Sequence, residues 1–557
     1  MQTKEEKNMS KYVIGIDFGT LSGRALLMNA ETGEEISDST LEYAHGVMDV
    51  TLPSGKKLPP NYALQHPADY IEVLETTVKN VIQNSGIDTA DIVGFGIDFT
   101  SCTLIPVDKD MQPLCLKEKY EDEPHAYVKL WKHHGAQPEA DEINALAAAR
   151  DEKWLPYFGG RLSSEWVLPK VLEVLHDAPE IYDETYRFIE AGEWLTCLLC
   201  GNEVHNPNFA GFKNLWTKKY GFPSNDFFCA LDPRLSGIIG TKISDKISRI
   251  DDTAGTLNEN GARLTGLRAG TAVSLPIIDA HSAIPALNMV RDGDITLTIG
   301  TSSGYLLNTK GDMTVNGICA TVGDGLFADL YTHEAGQSAV GDIFAWFVNN
   351  CVPESYHLEA KEKGVSIHKL LREKAKALRP GESGLIALDW HNGNRSVLDN
   401  GDLSGLILGL TLQTRPEEIY RALIEAVVFG TRVIFDRFEE CGAVIKNVCA
   451  AGGIAQKDEM MMQIYADVLN RTIRIAGTKQ ACARGAAIMA AVAAECYPDM
   501  LTACDALALP DYCVYYPGEE NREIYERLFA EYKILHDYFG TGVNKVMERL
   551  TEMKRQF

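Results

Sequence analysis

Two segments of the sequence share a run of glycine and hydroxyl residues that suits phosphate binding. One spans 16–23 (IDFGTLSG), the other spans 297–304 (LTIGTSSG), and each separates two short apolar stretches. This pattern predicts two β-hairpins with similar turns. Glycines let a backbone approach a phosphate, and the N–H and hydroxyl groups of such turns bind its oxygens. The residues expected to bind phosphate are Gly19 and Thr20 in the first turn, and Gly300, Thr301 and Ser302 in the second.

Only the first of these segments carries a carboxylate, at Asp17. A carboxylate beside a phosphate-binding turn can hold Mg²⁺, often through water, because this ion dehydrates reluctantly. A single such turn would be interpreted as an ordinary glycine hairpin. Two matched turns with one acid instead predict two related halves that face each other across a cleft and bind ATP with Mg²⁺.

A second acid, Asp279, is the best candidate for a general base. Transfer of a phosphoryl group to a hydroxyl requires the acceptor to be aligned and to lose its proton. Asp279 follows the apolar run 275–278, so the end of a strand or helix would project its carboxylate into a cleft. The alternatives are that Asp279 caps a helix N-terminus and that His281 is the base.

Two further strand ends carry residues suited to ligand binding. The apolar stretch 91–99 is followed by Thr100 and Ser101, and ligands of open α/β sheets bind at such positions. The segment 448–456 predicts a strand, a glycine turn and a helix. Its residues Gly452, Gly453 and Gln456 are therefore candidates for contacts with a nucleotide base and ribose.

Helical periodicity is clearest in two places. Apolar residues recur at helical spacing over 69–83, and 521–553 has an amphipathic pattern that is typical of core packing. These stretches predict helices that support the strands named above.

The size and charge of the chain restrict its class. A length of 557 residues exceeds what one hydrophobic core usually supports, which predicts two large domains. The formal net charge of -25 opposes the counterion release on which nucleic-acid binding depends, and no Lys/Arg run offsets it. Nucleic acid and anionic membranes are therefore not expected partners.

Several features favour a cytoplasmic protein. Residues 1–10 are polar and predict a disordered tail rather than a secretory signal, and the longest apolar stretch, 485–494, is too short to cross a membrane. The 13 cysteines are scattered without a framework, which fits a reducing compartment. Cys197 and Cys200 lie in an apolar run and are expected to be buried thiols rather than a redox or zinc pair.

Taken together, these motifs resemble those of the FGGY carbohydrate kinases in order and spacing. The resemblance extends from about Lys11 to Ala494 and includes both turns, the Asp-Ala-His segment that begins at Asp279, and the Gly452 turn. A stretch over 405–425 is similar to the C-terminal signature of that family. Within the family, the chain most closely resembles members that act on L-ribulose, through the segments 160–170, 209–216 and 332–337.

The resemblance implies an α/β fold built from two actin-like (ribonuclease-H-like) domains related by duplication. ATP and a sugar would bind in the cleft between these domains. An N-terminal domain over 11–286 would supply the sugar site, the first hairpin and the catalytic acid. A C-terminal domain over 287–557 would supply the second hairpin and the adenosine site.

The resemblance also implies roles for individual residues. Asp279 would be the general base, Asp17 would belong to the magnesium site, and the Gly452 turn would contact adenosine. Many family members have a third glycine and an asparagine where this chain has Ile454 and Gln456. A ketopentose offers a carbonyl and several hydroxyls, which a lysine, a carboxylate and small hydroxyls can bind together. The implied sugar contacts are Thr100, Ser101, Lys213, Asp279 and Glu334.

The expected reaction is transfer of phosphate from ATP to the 5-hydroxyl of L-ribulose, with D-ribulose as a further candidate, in L-arabinose catabolism. One alternative is a related kinase acting on xylulose, a pentitol or glycerol. Another is a nucleotide-switched chaperone or filament protein of the actin superfold. The sequence leaves the epimer preference and the oligomeric state open, and a homodimer is compatible with it.

Overall fold

The computed structural model describes residues 10–477 and 480–556. Of the predicted N-terminal tail, residues 1–9 lie outside the described residues. In chain order the strands are β1 (Tyr12–Phe18), β2 (Ser22–Asn29), β3 (Glu35–Glu42), β4 (Leu64–Gln65), β5 (Ile92–Phe99), β6 (Leu104–Val107), β7 (Val128–Lys129), β8 (Arg187–Glu190), β9 (Thr253–Thr256), β10 (Ala272–Ser274), β11 (Ile277–Ile278), β12 (Asp294–Ile299), β13 (Ser303–Thr309), β14 (Ala320–Gly323), β15 (Tyr331–Gln337), β16 (Ile386–Leu388), β17 (Leu406–Leu408), β18 (Asn447–Ala451), β19 (Ile473–Ala476) and β20 (Asp511–Tyr515).

Helices cover the sheets and join the strands. They are α1 (Pro67–Ser85), α2 (Gln137–Ala149), α3 (Val167–Asp177), α4 (Pro179–Glu184), α5 (Ala191–Cys200), α6 (Pro207–Lys213), α7 (Asn225–Leu231), α8 (Ile238–Thr241), α9 (Glu259–Thr265), α10 (Asp279–Ala286), α11 (Gly341–Cys351), α12 (Glu354–Glu362), α13 (Ile367–Lys376), α14 (Pro416–Glu440), α15 (Gly453–Lys457), α16 (Glu459–Leu469), α17 (Ala481–Ala493), α18 (Met500–Leu507), α19 (Glu519–Gly540) and α20 (Val546–Lys554).

Two large mixed sheets form the centres of two lobes. In the first sheet the strand order is β3-β2-β1-β5-β10-β9, and β11 also pairs with β5. In the second sheet the order is β14-β15-β13-β12-β18-β19-β20. Each sheet contains an antiparallel hairpin, β1–β2 or β12–β13, whose first strand pairs in parallel with a later strand, β5 or β18. The predicted pair of related hairpins is therefore confirmed.

The two lobes are joined by a helix that comes late in the chain. Helix α17 lies in sequence between β19 and β20 of the second sheet, yet it packs on β1 and β5 of the first sheet. The approach requires small residues: a Cβ atom added at Gly96 of β5 would lie 2.2 Å from the Ala486 carbonyl oxygen. Ser282 Oγ of α10 also donates a 2.8 Å hydrogen bond to the Cys482 carbonyl of α17. Helix α17, although it comes late in the chain, thus completes the first lobe.

The helices predicted from periodicity are present. α1 begins at Pro67 after the His66 cap, buries its apolar face, and ends at Gly86 in the left-handed conformation. The amphipathic stretch predicted over 521–553 consists of two helices, α19 and α20, because α19 ends before Thr541 and α20 begins at Val546. Cys197 and Cys200 are free thiols on α5. No helix in the described residues is long and apolar enough to span a bilayer.

Candidate active site

Three carboxylates meet at one edge of the first sheet. Asp17 and Asp98 lie opposite each other in the parallel ladder of β1 and β5, and Ile277 of β11 pairs with Asp98 on its other side. Asp279 follows β11 directly as the first residue of α10. Since parallel strands end at the same edge of a sheet, the three acids come together there. Asp98 is fully buried, and the other two are half-buried.

The environment of these acids opposes their ionisation. Burial, and then the neighbouring Asp17 charge, raise the pKa of Asp98 well above its usual value. Burial and the charge of Asp17 also raise the pKa of Asp279 to about 7. The pKa of Asp17 is raised as well, chiefly by burial. A base that titrates near neutral pH is suited to proton transfer at that pH.

The same cluster fits a bound cation. Among the described residues, neither carboxyl oxygen of Asp98 has a partner at ordinary hydrogen-bond geometry, although the carboxyl groups of Asp98 and Asp17 are close enough to share a proton. A divalent cation would relieve both this lack of partners and the repulsion between Asp17 and Asp98. The acids are not drawn as tightly together as direct ligands, because among the described residues only His45, His66 and Asp69 bring three ligating atoms within 4.8 Å. A Mg²⁺ ion held partly through water fits this wider spacing.

The first hairpin turn is held from outside by three side chains. The Tyr43 hydroxyl donates to the Gly19 carbonyl at 3.0 Å, and Gln65 Nε2 donates to the Thr20 carbonyl at 2.8 Å. The indole N–H of Trp131 donates to Thr20 Oγ1 at 3.1 Å. Within the turn, the Gly19 N–H donates to the Ser22 carbonyl at 3.0 Å. The conformation of the turn is therefore set by the lobe and not by a ligand.

The second hairpin has three residues between its last strand pair, Ile299 and Ser303, whereas the first has four between Phe18 and Gly23. The second turn is fixed by a different loop. The N–H groups of Val340 and Gly341 donate to the carbonyls of Thr301 at 2.7 Å and Gly300 at 3.0 Å. The Gly300 N–H donates to the Ser302 carbonyl at 2.9 Å. In the described residues, no hydrogen bond joins this turn to the first one. Each turn is thus held by its own lobe.

The Gly452 turn lies beside the second hairpin because β12 and β18 are parallel neighbours. Gly452 has φ of +100°, and a Cβ there would lie 2.4 Å from the Ile299 carbonyl oxygen, so a larger residue does not fit. Gly453, by contrast, faces open space. Gln456 lies on α15 and donates to the Ala476 carbonyl at 3.3 Å. The predicted adenosine residues thus share one edge of the second sheet with Gly300, Thr301 and Ser302.

Lys213 and Glu334 join the two lobes. Lys213 ends α6 in the first lobe, Glu334 lies on β15 of the second sheet, and Lys213 Nζ is 2.7 Å from Glu334 Oε2. Burial alone would lower the pKa of Lys213, but the Glu334 charge raises it above its usual value. Lys213 Nζ also lies 5.7 Å from the centre of the Trp166 ring. The pair places one donor and one acceptor between the lobes.

The turn that follows β5 lies near this pair. Cys102 of this turn lies within electrostatic range of Lys213. Thr100 is buried, and its hydroxyl lies 2.7 Å from the Thr103 hydroxyl. Ser101 is half-buried and is the more accessible of the two predicted sugar contacts.

His281, the alternative base, is poorly suited to accept the proton of the sugar hydroxyl. Its ring is buried, and the Asn208 side-chain amide lies 3.0 Å from its Nδ1. Burial lowers the pKa of His281 to about 4, so the ring is neutral at pH 7. Asn208 Oδ1 also accepts from the N–H of Ile278 at 2.8 Å, immediately before Asp279. The geometry favours Asp279 as the base.

The sequence interpretation missed three residues of this site. Asp98 was visible as an acid at a strand end, but its pairing with Asp17 needs the strand register. Asn208 and Trp131 act through contacts with residues far away in the chain, and no local pattern marks them.

A two-lobed α/β fold with paired glycine turns and clustered carboxylates is suited to phosphoryl transfer, and comparisons with known proteins identify its family. The family model for the N-terminal domain of FGGY carbohydrate kinases matches residues 12–284, and the model for the C-terminal domain matches residues 295–494. The chain belongs to the FGGY family of carbohydrate kinases. Its two-domain, actin-like α/β fold and its sugar-kinase class, expected from the resemblance, are thereby confirmed.

Individual relatives cover nearly the whole chain. The chain is 49% identical over 549 residues to a ribulokinase of Geobacillus thermodenitrificans, covering 98% of this chain and 97% of the relative. It is 48% identical over 550 residues to a ribulokinase of Halalkalibacterium halodurans, covering 98% of each. The crystal structure of a xylulose kinase from Rhodospirillum rubrum is similar in fold, with a TM-score of 0.79, 20% identity and coverage of 94% of this chain and 98% of that one.

Proposed function

We propose that this protein transfers the γ-phosphoryl group of ATP to the 5-hydroxyl of L-ribulose, giving ribulose 5-phosphate. The observation that carries the chemistry is Asp279, a carboxylate with a pKa of about 7 at the end of β11, beside the first hairpin. The choice of sugar is supported by the high identity to proteins named ribulokinase over nearly the full length. D-Ribulose is a second candidate acceptor.

In the proposed reaction Asp279 acts as the general base. It takes the proton of the sugar hydroxyl while that oxygen forms a bond to the γ-phosphorus. The bond between that phosphorus and the bridging oxygen breaks, and ADP leaves with the electron pair. A bound Mg²⁺ would neutralise charge on the phosphates, and Asp17 with Asp98 would hold it. Since the pKa of Asp279 depends on the Asp17 charge, proton acceptance and cation binding are linked.

The phosphates would be bound from both lobes. Gly19 and Thr20 offer backbone and hydroxyl groups on one side, and the turn Gly300-Thr301-Ser302 does so on the other. The adenosine would lie against Gly452, Gly453 and Gln456, where Gly453 leaves open space. This arrangement predicts that ATP bridges the lobes and draws them together.

The sugar would lie between Lys213, Glu334 and the turn that carries Thr100 and Ser101. Lys213 donates and Glu334 accepts, so the pair can bind a carbonyl and a hydroxyl of an open-chain ketose. Because the two residues belong to different lobes, sugar binding would favour closure. Closure excludes water from the reacting phosphate and suppresses ATP hydrolysis.

The domain boundaries near residue 286, a location in the cytoplasm and a homodimeric state remain proposals from the sequence. Kinases of the same fold that act on xylulose, pentitols or glycerol are the nearest alternatives. An actin-like chaperone or filament protein would hydrolyse ATP without sugar, and it would not need the partly buried Lys213–Glu334 pair.

One experiment tests the proposal directly. ADP formation is measured by a coupled assay with L-ribulose, D-ribulose, D-xylulose and ribitol, each at several concentrations. We expect ATP turnover to depend on added sugar and to be most efficient with L-ribulose. Higher efficiency with D-xylulose or ribitol would overturn the proposed substrate, and turnover that is independent of sugar would overturn the kinase assignment.

A further inference from the structure

A fully buried lysine lies behind the predicted sugar site and takes no part in the chemistry described above. Lys170 is on α3, and its side chain is 0% exposed. Its Nζ donates to the carbonyl of Cys102 at 2.6 Å and to the carbonyl of Leu130 at 2.8 Å. Lys170 therefore ties together two segments that are distant in sequence.

A buried carboxyl group holds the other side of the same peptide bond. Glu190 at the end of β8 is 2% exposed, and its Oε2 accepts from the Thr103 N–H at 2.9 Å. The Cys102 carbonyl and the Thr103 N–H belong to one peptide unit. Lys170 thus binds the carbonyl oxygen of this peptide unit, and Glu190 binds its N–H group.

The Cys102–Thr103 peptide unit lies in a strained turn. Cys102 has φ of +52°, a left-handed conformation that a residue other than glycine rarely adopts. Such a conformation costs free energy and persists where the surrounding structure enforces it, often at a functional site. Ser101 immediately precedes Cys102 and is half-buried, so its hydroxyl is more accessible than that of the buried Thr100.

Stability alone does not explain these residues. Burying a lysine and a glutamate side by side carries a desolvation cost, and apolar residues of similar size often serve a core better. A polar pair that fixes one backbone conformation is instead suited to a positioning role.

We propose that Lys170 and Glu190 form a peptide clamp that positions the Ser101 hydroxyl and so determines which sugar the cleft accepts. The clamp also reaches the phosphate side of the cleft. The Leu130 carbonyl, which Lys170 holds, precedes Trp131, and Trp131 donates to Thr20 in the first hairpin. The inference rests on the proposed function, because it takes Ser101 to contact the sugar.

The first test is Lys170→Met, which keeps an unbranched side chain one atom shorter and removes both hydrogen bonds. We expect the KM for sugar to rise by about 10-fold or more, because a small displacement of a positioning group weakens binding strongly. The KM for ATP should change much less than the KM for sugar, since the adenosine contacts lie on the other lobe and Lys170 reaches the first hairpin only indirectly, through Trp131. The preference for L-ribulose over D-ribulose should also fall.

A matched control is available at Lys242. Its Nζ also donates to two backbone carbonyls, those of Tyr182 at 2.7 Å and Thr185 at 2.6 Å, but these lie away from the turn. Lys242→Met should lower the melting temperature while leaving the KM for sugar within about twofold of the wild type. An equal change of sugar KM in both variants would mean a general loss of stability and would overturn the clamp.

A second pair of variants keeps the test decisive if Lys170→Met does not fold. Burial raises the pKa of Glu190 to about 8, so the group is mostly protonated at pH 7 and glutamine resembles it closely. Glu190→Gln retains an acceptor for the Thr103 N–H, whereas Glu190→Leu removes it. We expect the KM for sugar to change by less than about threefold in the first variant and by about 10-fold in the second.

The outcome is separable from that of the proposed function. Each variant is assayed with the sugar that the wild type phosphorylates best, so a different best sugar would correct the substrate and leave the clamp intact. Equal KM values for that sugar in the wild type, Lys170→Met and Glu190→Leu would overturn the clamp. A parallel rise of the KM for ATP in Glu190→Leu would overturn it too, because Glu190 contacts the sugar turn and not the first hairpin.

Discussion

The two hairpins occupy equivalent places in their sheets but carry different chemistry. In the first sheet Asp17 lies opposite Asp98 of the parallel neighbour. In the second sheet the corresponding ladder position pairs Thr298 with Ala451. The turns that follow are alike in glycine and hydroxyl content. The two lobes therefore share the glycine and hydroxyl turn, and the paired carboxylates occur only in the first.

Because of this difference, the two lobes are suited to different steps of the reaction. The carboxylate edge of the first lobe can hold a cation and accept a proton, while the second lobe offers neutral backbone and hydroxyl groups. Repulsion among the acids is confined to the first lobe, where it raises the pKa of Asp279. A substitution in the first lobe should thus change catalysis, and the equivalent substitution in the second should change it little.

The largest effect is expected for Asp279→Asn. The amide cannot accept the sugar proton, so kcat should fall by about 10²–10⁴-fold. The protein should fold normally, since the change removes a carboxyl group that burial disfavours as an anion. Steady-state kinetics and a thermal melt check both parts. Near-normal turnover in a folded variant would exclude Asp279 as the base.

A smaller effect is expected for Lys213→Met, which breaks the pair that links the lobes. Loss of a charged donor should raise the KM for sugar by about 10- to 100-fold and leave the KM for ATP nearly unchanged. Lys218→Met is the control, because Lys218 pairs with Asp324 at 2.8 Å at a more exposed position nearby. Unchanged sugar affinity in Lys213→Met would remove Lys213 from the sugar site.

The next prediction compares the Mg²⁺ dependence of a variant in each hairpin. Asp17→Asn should raise the Mg²⁺ concentration for half-maximal activity by about 10-fold, since a group that orients a bound cation is lost. The equivalent change in the second lobe, Thr298→Ala, should shift it by less than about threefold. Activity is titrated with Mg²⁺ at saturating ATP and sugar. Equal shifts in both variants would mean that the hairpins share the cation and would end the proposed division of work.

The sequence was sufficient to predict what local patterns encode. Glycine and hydroxyl residues between apolar strands predicted both turns, and the acid after 275–278 was found at the start of α10. Parallel register could not be derived in the same way, which is why the pairing of Asp98 with Asp17 was missed. The position of α17 depends on close backbone contacts such as that at Gly96, which become visible only after folding.

The lobes should also differ in their response to acid, through buried histidines of opposite behaviour. His333 of the second sheet lies between the hydroxyls of Thr309 and Thr321, at 2.8 Å and 3.0 Å, and burial lowers its pKa to about 3. His205 of the first lobe is also buried, which would lower its pKa, but the charge of Glu193 at 2.9 Å raises it instead.

These two pKa shifts determine whether each histidine raises or lowers the free energy of unfolding as the pH falls. Below pH 6.5 the unfolded chain protonates at position 333 and the folded chain does not, so His333 costs about 1.4 kcal/mol between pH 7.5 and 5.5. The raised pKa of His205 has the opposite sign: its contribution is present below pH 6.5 and is lost as the pH rises through the folded value. His333→Asn should therefore reduce the loss of unfolding free energy on acidification, and His205→Asn should increase it. Urea unfolding at the two pH values measures both, and a change of the same sign in the two variants would contradict the assignment of charge to these rings.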